Sequence, residues 1–184
     1  MIEARSRIKP ALPYSGLPAV FAAACIIRAG NTEAFIMLRL LMIVVFGYIA
    51  SVLDMKTKRI PNELVLAMFA AWVLAMTPKL FLDTGTAVTL FADSALGLAL
   101  GGGMFLLVYL ISRKGLGGGD VKFMAAAGLY LGFNGAIPAM LYGTILAALT
   151  GIILIATKKI GRKDMIPLAP FLYIGILIVV CVSY

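Results

Sequence analysis

The sequence predicts an all-α integral membrane protein, a polytopic bundle of six transmembrane helices with a candidate seventh at the N-terminus. Three observations predict it. Of 184 residues, 62% are hydrophobic and 13% are charged, whereas soluble domains average about 45–50% apolar and about 25% charged. Apolar runs recur along the chain, and most come near the roughly 20 residues needed to cross about 30 Å of hydrocarbon. Most basic residues stand in the short breaks between these runs, as they do in membrane topology. This much apolar sequence cannot be hidden inside one chain of this size, so lipid must be part of its solvent.

The chain divides into an N-terminal extension, residues 1–35, and a six-helix membrane domain, residues 36–184. In the extension, Glu3, Arg5, Arg7 and Lys9 precede Ala11–Ile27, Pro10, Pro13 and Pro18 crowd its start, and Arg28 follows. Three readings stay open. It is a seventh, weak spanning helix with its basic end inside, or a signal-peptide-like segment with small residues at Ala22–Ala24, or an interfacial or misassigned extension.

Within the domain, Ile36–Leu53, Leu64–Leu82, Val88–Ser112, Ile137–Thr157 and Leu168–Tyr184 are spanning candidates. Val121–Phe133 is short: at about 1.5 Å per residue it reaches only about 20 Å, as a re-entrant half-helix would. Parity decides for a crossing. If Ile36–Leu53 runs inward, the breaks with Lys56, Lys58 and Arg59, with Arg113 and Lys114, and with Lys158, Lys159, Arg162 and Lys163 all face the cytoplasm only if the short segment also crosses. The opposite breaks hold Lys79 and Asp83, and Asn134 and Gly135. Gly97 with Gly101 and the run Ala125–Gly128 make smooth surfaces suited to close helix packing.

The net charge of +8 could suggest a nucleic acid, but no basic stripe interleaved with aromatics occurs along a soluble element, so no nucleic-acid partner is expected. With no histidine and only Cys25 and Cys181, no zinc or haem site can be assembled, and neither metal nor cofactor is expected. Chemistry must rest on carboxylates. Glu3, Glu33, Asp83 and Asp164 read as solvated or ion-paired. Asp93, between Phe91 and Leu96, sits near the outer end of its run, where it can reach the headgroups. Asp54 ends one apolar run and Asp120 opens another, which puts both at the cytoplasmic edge. Two close acids in a partly desolvated site cannot both ionise cheaply and titrate as a unit. Such a dyad can activate water with one carboxylate while the other polarises a carbonyl. Gly117–Gly119, ahead of Asp120, would let an extended backbone lie beside the acid. Pro61 and Asn62 form a turn that starts the next helix, with Asn62 as cap or local hydrogen-bond partner.

At these residues the sequence resembles the type IV prepilin peptidases, membrane aspartic proteases with a GxGD motif. Asp54-x4-Arg59-Ile60-Pro61-Asn62 is similar to the family's first aspartate motif, and Gly117-Gly118-Gly119-Asp120-Val121-Lys122 to its second. The likeness covers about residues 36–184, and Ile166–Phe171 is similar to the proline-bearing start of the family's last helix. It implies a peptidase that removes the short basic leader of pilin or pseudopilin precursors, after a glycine, at the cytoplasmic face of the bacterial inner membrane. Asp54 and Asp120 carry over as the catalytic pair, and Arg59, Pro61, Asn62, Gly117, Gly119 and Lys122 as motif or supporting positions. Lys122 is expected to give electrostatic support. Expected partners are the precursor and the bilayer, with self-association left open, and the precursor's apolar helix is expected to pack between membrane helices. Longer members carry a paired-cysteine domain associated with N-methylation. This sequence has no CxxC, so it resembles the short, peptidase-only kind that serves tight-adherence (Flp-type) pili, without N-methyltransferase activity. Two other readings compete: another GxGD intramembrane protease, presenilin-like, and a small ion or proton transporter subunit.

Overall fold

The computed structural model describes residues 34–112, 115–158, 161 and 166–183. The extension with its three readings, and Arg113, Lys114, Lys159, Arg162, Lys163 and Asp164, lie outside the described residues. Among the described residues every regular element is a helix: α1 Ala34–Thr57, α2 Asn62–Leu82, α3 Thr84–Ile111, α4 Gly118–Ala156 and α5 Ala169–Ser183. The first four are long and apolar enough to cross a membrane, whereas α5 has 15 residues. The expected apolar runs coincide with these helices except at their ends, where Ser112, Thr157 and Leu168 stand just outside and Tyr184 lies outside the described residues. Two of them, Val121–Phe133 and Ile137–Thr157, fall together in α4, Thr157 being its C-terminal cap.

The helix ends follow from local chemistry. Lys58 takes the left-handed conformation (φ 52°) that stops α1, and its N–H returns to the Asp54 carbonyl at 2.8 Å. Pro61, extended at φ −68° and ψ 145°, precedes α2, a place that suits a residue with no N–H to leave unpaired. Asp83 alone joins α2 to α3. Its N–H donates to the Lys79 carbonyl at 2.9 Å, and its carboxylate accepts the Thr86 N–H at 3.2 Å, capping α3. Threonines inside the helices direct their hydroxyls to carbonyls one turn back, as Thr77 does to Val73 and Thr144 to Met140, both at 2.8 Å. That leaves no free hydroxyl at those positions facing lipid.

α4 is not one rod. Gly132 has φ 65° and ψ −172° and divides it into two helical halves, 118–131 and 133–156. Only glycine takes this backbone conformation without steric cost. The packing gives the direction of each half. Gly97 of α3 lies against Gly128 and Gly132, and Gly101 against Met124, so the first half runs antiparallel to α3. In the second half, Ala139 faces Gly175 and Gly143 faces Leu172, so this half runs antiparallel to α5. α5 in turn runs antiparallel to α1, with Ala169 at Asp54 and Tyr173 at Gly47, and so does the first half of α4, with Tyr130 at Arg39 and Asp120 in one cleft with Asp54; the chain therefore reverses at Gly132.

A Cβ added at Gly97 would collide with the Gly128 carbonyl, and one at Gly128 with the Gly97 carbonyl. The small residues singled out in the sequence are therefore each other's partners, letting two backbones touch without intervening side chains.

Both broken ends at Gly132 are held by side chains from elsewhere. Arg39, buried at 3% exposure, donates from Nε and Nη2 to the Tyr130 carbonyl at 3.1 and 2.6 Å. This places a cation at the C-terminal end of the first half, where the helix dipole favours it. The Phe133 N–H donates to Asp93 Oδ1 at 2.9 Å, which puts an anion at the N-terminal end of the second half. Asp93 thus serves as a cap for the second half of α4, a partner the sequence reading did not include. The Tyr130 hydroxyl completes the set, donating to the Met68 carbonyl of α2 at 2.6 Å.

Candidate active site

Asp54 sits in the last turn of α1 with 5% exposure. Its Oδ2 accepts the N–H of Ala169, the first residue of α5, at 3.0 Å. The sequence explains why that N–H is available. A helix leaves its first four N–H groups without intrahelical partners, and in α5 these belong to residues 169–172. Pro170 has none, Phe171 and Leu172 both return to the Leu168 carbonyl at 3.0 and 3.1 Å, and Ala169 is left to serve the carboxylate.

Asp120 lies in the first turn of α4, half-buried. Its N–H donates to the Gly117 carbonyl at 3.1 Å, and its carboxylate folds back over Gly117, where an added Cβ would stand 2.7 Å from Oδ2. A Cβ at Gly119 would stand 3.2 Å from the Ile60 Cβ and 3.3 Å from its nitrogen, while at Gly118 nothing lies within 4 Å. The two outer glycines of Gly117-Gly118-Gly119 are thus demanded by close approach, one to the acid and one to the segment after Asp54. The middle one is not.

Asp54 and Asp120 line the same cleft, about 260 Å³ in volume, together with Lys58, Arg59, Ile60 and Gly117–Gly119. Both acids lie at helix N-termini, Asp120 in that of α4 and Asp54 against that of α5, where the positive end of the helix dipole favours a carboxylate. Two carboxyls beside a backbone stripped of side chains can address one extended peptide, one acid acting on water and the other on a carbonyl. Among the described residues no group of three or more His, Cys, Asp or Glu side chains converges as metal ligands would.

The remaining motif positions divide. Arg59, Gly117 and Gly119 line the cleft. Pro61 stands outside it as the residue before α2. Asn62 neither caps α2 nor bonds locally: its Oδ1 accepts Lys122 Nζ at 2.9 Å across 60 positions of sequence. This bond ties the segment after Asp54 to the helix that carries Asp120, so Lys122 acts as a strut between the two motifs. Sequence reasoning missed Ala169, whose contribution is a backbone N–H, and Arg39, whose signal was a lone charge within an apolar run.

Residues 40–154 match the type IV leader peptidase family. Three bacterial proteins, each named prepilin leader peptidase/N-methyltransferase, are similar to the chain. The one from Bacillus subtilis is 29% identical over 155 residues, 83% of this chain and 60% of its own length. That from Xanthomonas campestris pv. campestris is 27% identical over 124 residues, 67% of this chain and 42% of its own. That from Pectobacterium carotovorum is 33% identical over 144 residues, covering 73% and 48%. The chain thus spans about half the length of the curated relatives it matches. No solved structure matches it. The family match covers more than half of the chain and includes both aspartate motifs, and the chain belongs to the type IV leader peptidase family.

Proposed function

We propose that the chain is a membrane aspartic endopeptidase that removes the basic leader of type IV or Flp-like prepilins or pseudopilins, with Asp54 and Asp120 as the catalytic pair. The observation that carries this is the shared cleft: two motif acids from different helices face one hollow of about 260 Å³ beside Gly117–Gly119. One carboxylate takes a proton from water as the water oxygen bonds to the scissile carbonyl carbon. The other acid gives its proton to the carbonyl oxygen. Collapse of the tetrahedral intermediate breaks the C–N bond, the departing nitrogen takes up a proton, and a new carboxyl and a new amine result.

The six apolar runs read as six crossings, the two halves of α4 counting as two because the chain reverses at Gly132. Lys56, Lys58 and Arg59, next to Asp54, then support a cleft at the cytoplasmic face of the bacterial inner membrane. Within these 184 residues the two cysteines stand far apart with no CxxC, which supports peptidase chemistry without N-methyl transfer, as in the short kind that serves Flp-type pili.

The test is processing of a precursor with a basic leader and a glycine before the scissile bond, the cut placed by mass. Asp54→Asn and Asp120→Asn should each lower the rate at least about hundredfold, the scale of a lost general acid or base. Asp93→Asn, which retains an oxygen to accept the Phe133 N–H, should still cut. Full cleavage by the Asp120→Asn protein, or a cut within the apolar helix, would overturn the proposal.

A further inference from the structure

Among the described residues α2 is left partly open: Leu66, Val73 and Leu80 are exposed, whereas Phe69 between them is half-buried and Met76 buried. Leu66, Phe69, Val73, Met76 and Leu80 recur at alternating spacings of three and four, the periodicity that lines one side of a helix for a partner helix. They line three hollows of about 370, 200 and 390 Å³. The hollows share walls: Phe69 belongs to the first and second, and Trp72, Val73 and Phe91 to the second and third. Together they form one groove. Its other wall is a similar seam on α3, Val88, Phe91, Ala95 and Leu98, with Leu129 of α4 at its floor.

This groove differs from an ordinary lipid-facing surface in three respects. It begins beside the candidate active site, with no lining residue in common: Asn62, which lines its first hollow, is held by Lys122, two residues beyond Asp120. From Asn62 to Leu80 it runs about 27 Å at the rise of an α-helix, close to the roughly 30 Å of a hydrocarbon core. Its ends differ in character. Exposed Glu63 stands with Asn62 at the site end, suited to a basic segment, and beyond them the lining residues are apolar except for Thr77.

We infer that the groove between α2 and α3 is the docking site for the apolar helix of the membrane-anchored precursor, holding it so that the segment just before it enters the cleft of Asp54 and Asp120. The inference rests on the peptidase reading and deepens it. Recognition is divided between the cleft, which receives the backbone at the scissile bond, and the groove, which accepts any apolar helix of spanning length that follows a basic leader.

The test compares two substrates, the full-length precursor in proteoliposomes and a short soluble peptide covering only the leader and scissile bond. Val73→Trp and Ala95→Trp, which fill the groove away from the cleft, should lower kcat/KM for the precursor at least tenfold, mainly through KM, and leave the peptide unchanged. Leu74→Trp, on a lipid-facing part of α2 at 72% exposure, should leave both unchanged. Precursor cleavage at the wild-type rate by both groove variants, or equal loss on both substrates, overturns the inference. A photo-crosslinking residue at position 73 should capture the precursor, and one at position 74 should not. Lipid adducts alone at position 73, with the precursor still being cut, overturn docking and leave the peptidase reading standing. A precursor neither cut nor captured overturns the peptidase reading itself.

Discussion

Ala169→Pro isolates one hydrogen bond at the candidate site. The Ala169 N–H donates to Asp54 Oδ2 at 3.0 Å and to no backbone carbonyl. Ala169 is the first residue of α5, a position proline favours because its ring fits the helix and its missing N–H is one that the helix does not use. Leu168 ahead of it is not helical, as the residue before a proline should be. The substitution therefore deletes the donor and leaves the helix intact. A hydrogen bond to a charged partner contributes about 1.5–3 kcal/mol, so if all of it serves to orient Asp54, kcat should fall between about tenfold and about 150-fold. KM should hold, since Ala169 does not line the cleft. The assay is precursor cleavage by purified protein in detergent, with thermal unfolding measured alongside. Ala169→Gly keeps the N–H and should stay near the wild-type rate. The reasoning is refuted if Ala169→Pro cuts at the wild-type rate with its fold intact, or if the glycine variant slows as much as the proline variant.

The strut between the motifs should appear in a double-mutant cycle: Lys122→Ala and Asn62→Ala should each slow cleavage about two- to tenfold, and the pair together no more than the worse single, a coupling of about 0.5–1.5 kcal/mol. Independent, multiplying losses would show that the bond does nothing. Gly97→Val should lower the melting temperature through about 1–3 kcal/mol of overpacking, whereas Gly103→Val, with nothing within 4 Å, should not, as differential scanning fluorimetry in one detergent would show. At the α2–α3 junction, the Thr86 hydroxyl foremost, then the Thr86 amide and more weakly Lys79, hold the Asp83 carboxyl below its ordinary range. A carboxyl depressed by folding stabilises above its unfolded value, about 3.9 for aspartate, and loses that contribution as pH falls through the lower folded value. The melting difference between wild type and Asp83→Ala should therefore be constant near neutrality and shrink only below about pH 4; a difference that grew on acidification would contradict it.

What could be read beforehand was whatever depends on local order. The apolar runs located the helices to within a few residues, because lipid selects for length and composition alone. Asp54 and Asp120 stood out because acids at the ends of apolar runs are rare and the glycines beside Asp120 have a local meaning. Gly97 and Gly128 were legible as smooth surfaces, though only the fold shows that each is the other's partner. Contacts that depend on the reversal at Gly132 were hidden. Asp93 looked like a carboxylate near an interface because Phe133, its partner, comes 40 positions later. Asn62 looked like a cap because caps are the common local use of asparagine, and a long-range bond to Lys122 leaves no periodic trace. Ala169 had no signal at all, since every residue type except proline carries the same N–H.

The break at Gly132 also bears on the order in which the protein can be made. The Tyr130 carbonyl needs Arg39, 91 positions earlier, and the Phe133 N–H needs Asp93, 40 positions earlier. Both partners belong to helices that leave the ribosome before α4. Left without them, the reversal would expose unpaired backbone groups to lipid, each costing several kcal/mol. The two halves of α4 therefore have their receiving surface built before they are synthesised, and a circularly permuted chain that delivered α4 ahead of α1 and α3 should stall or be degraded during insertion.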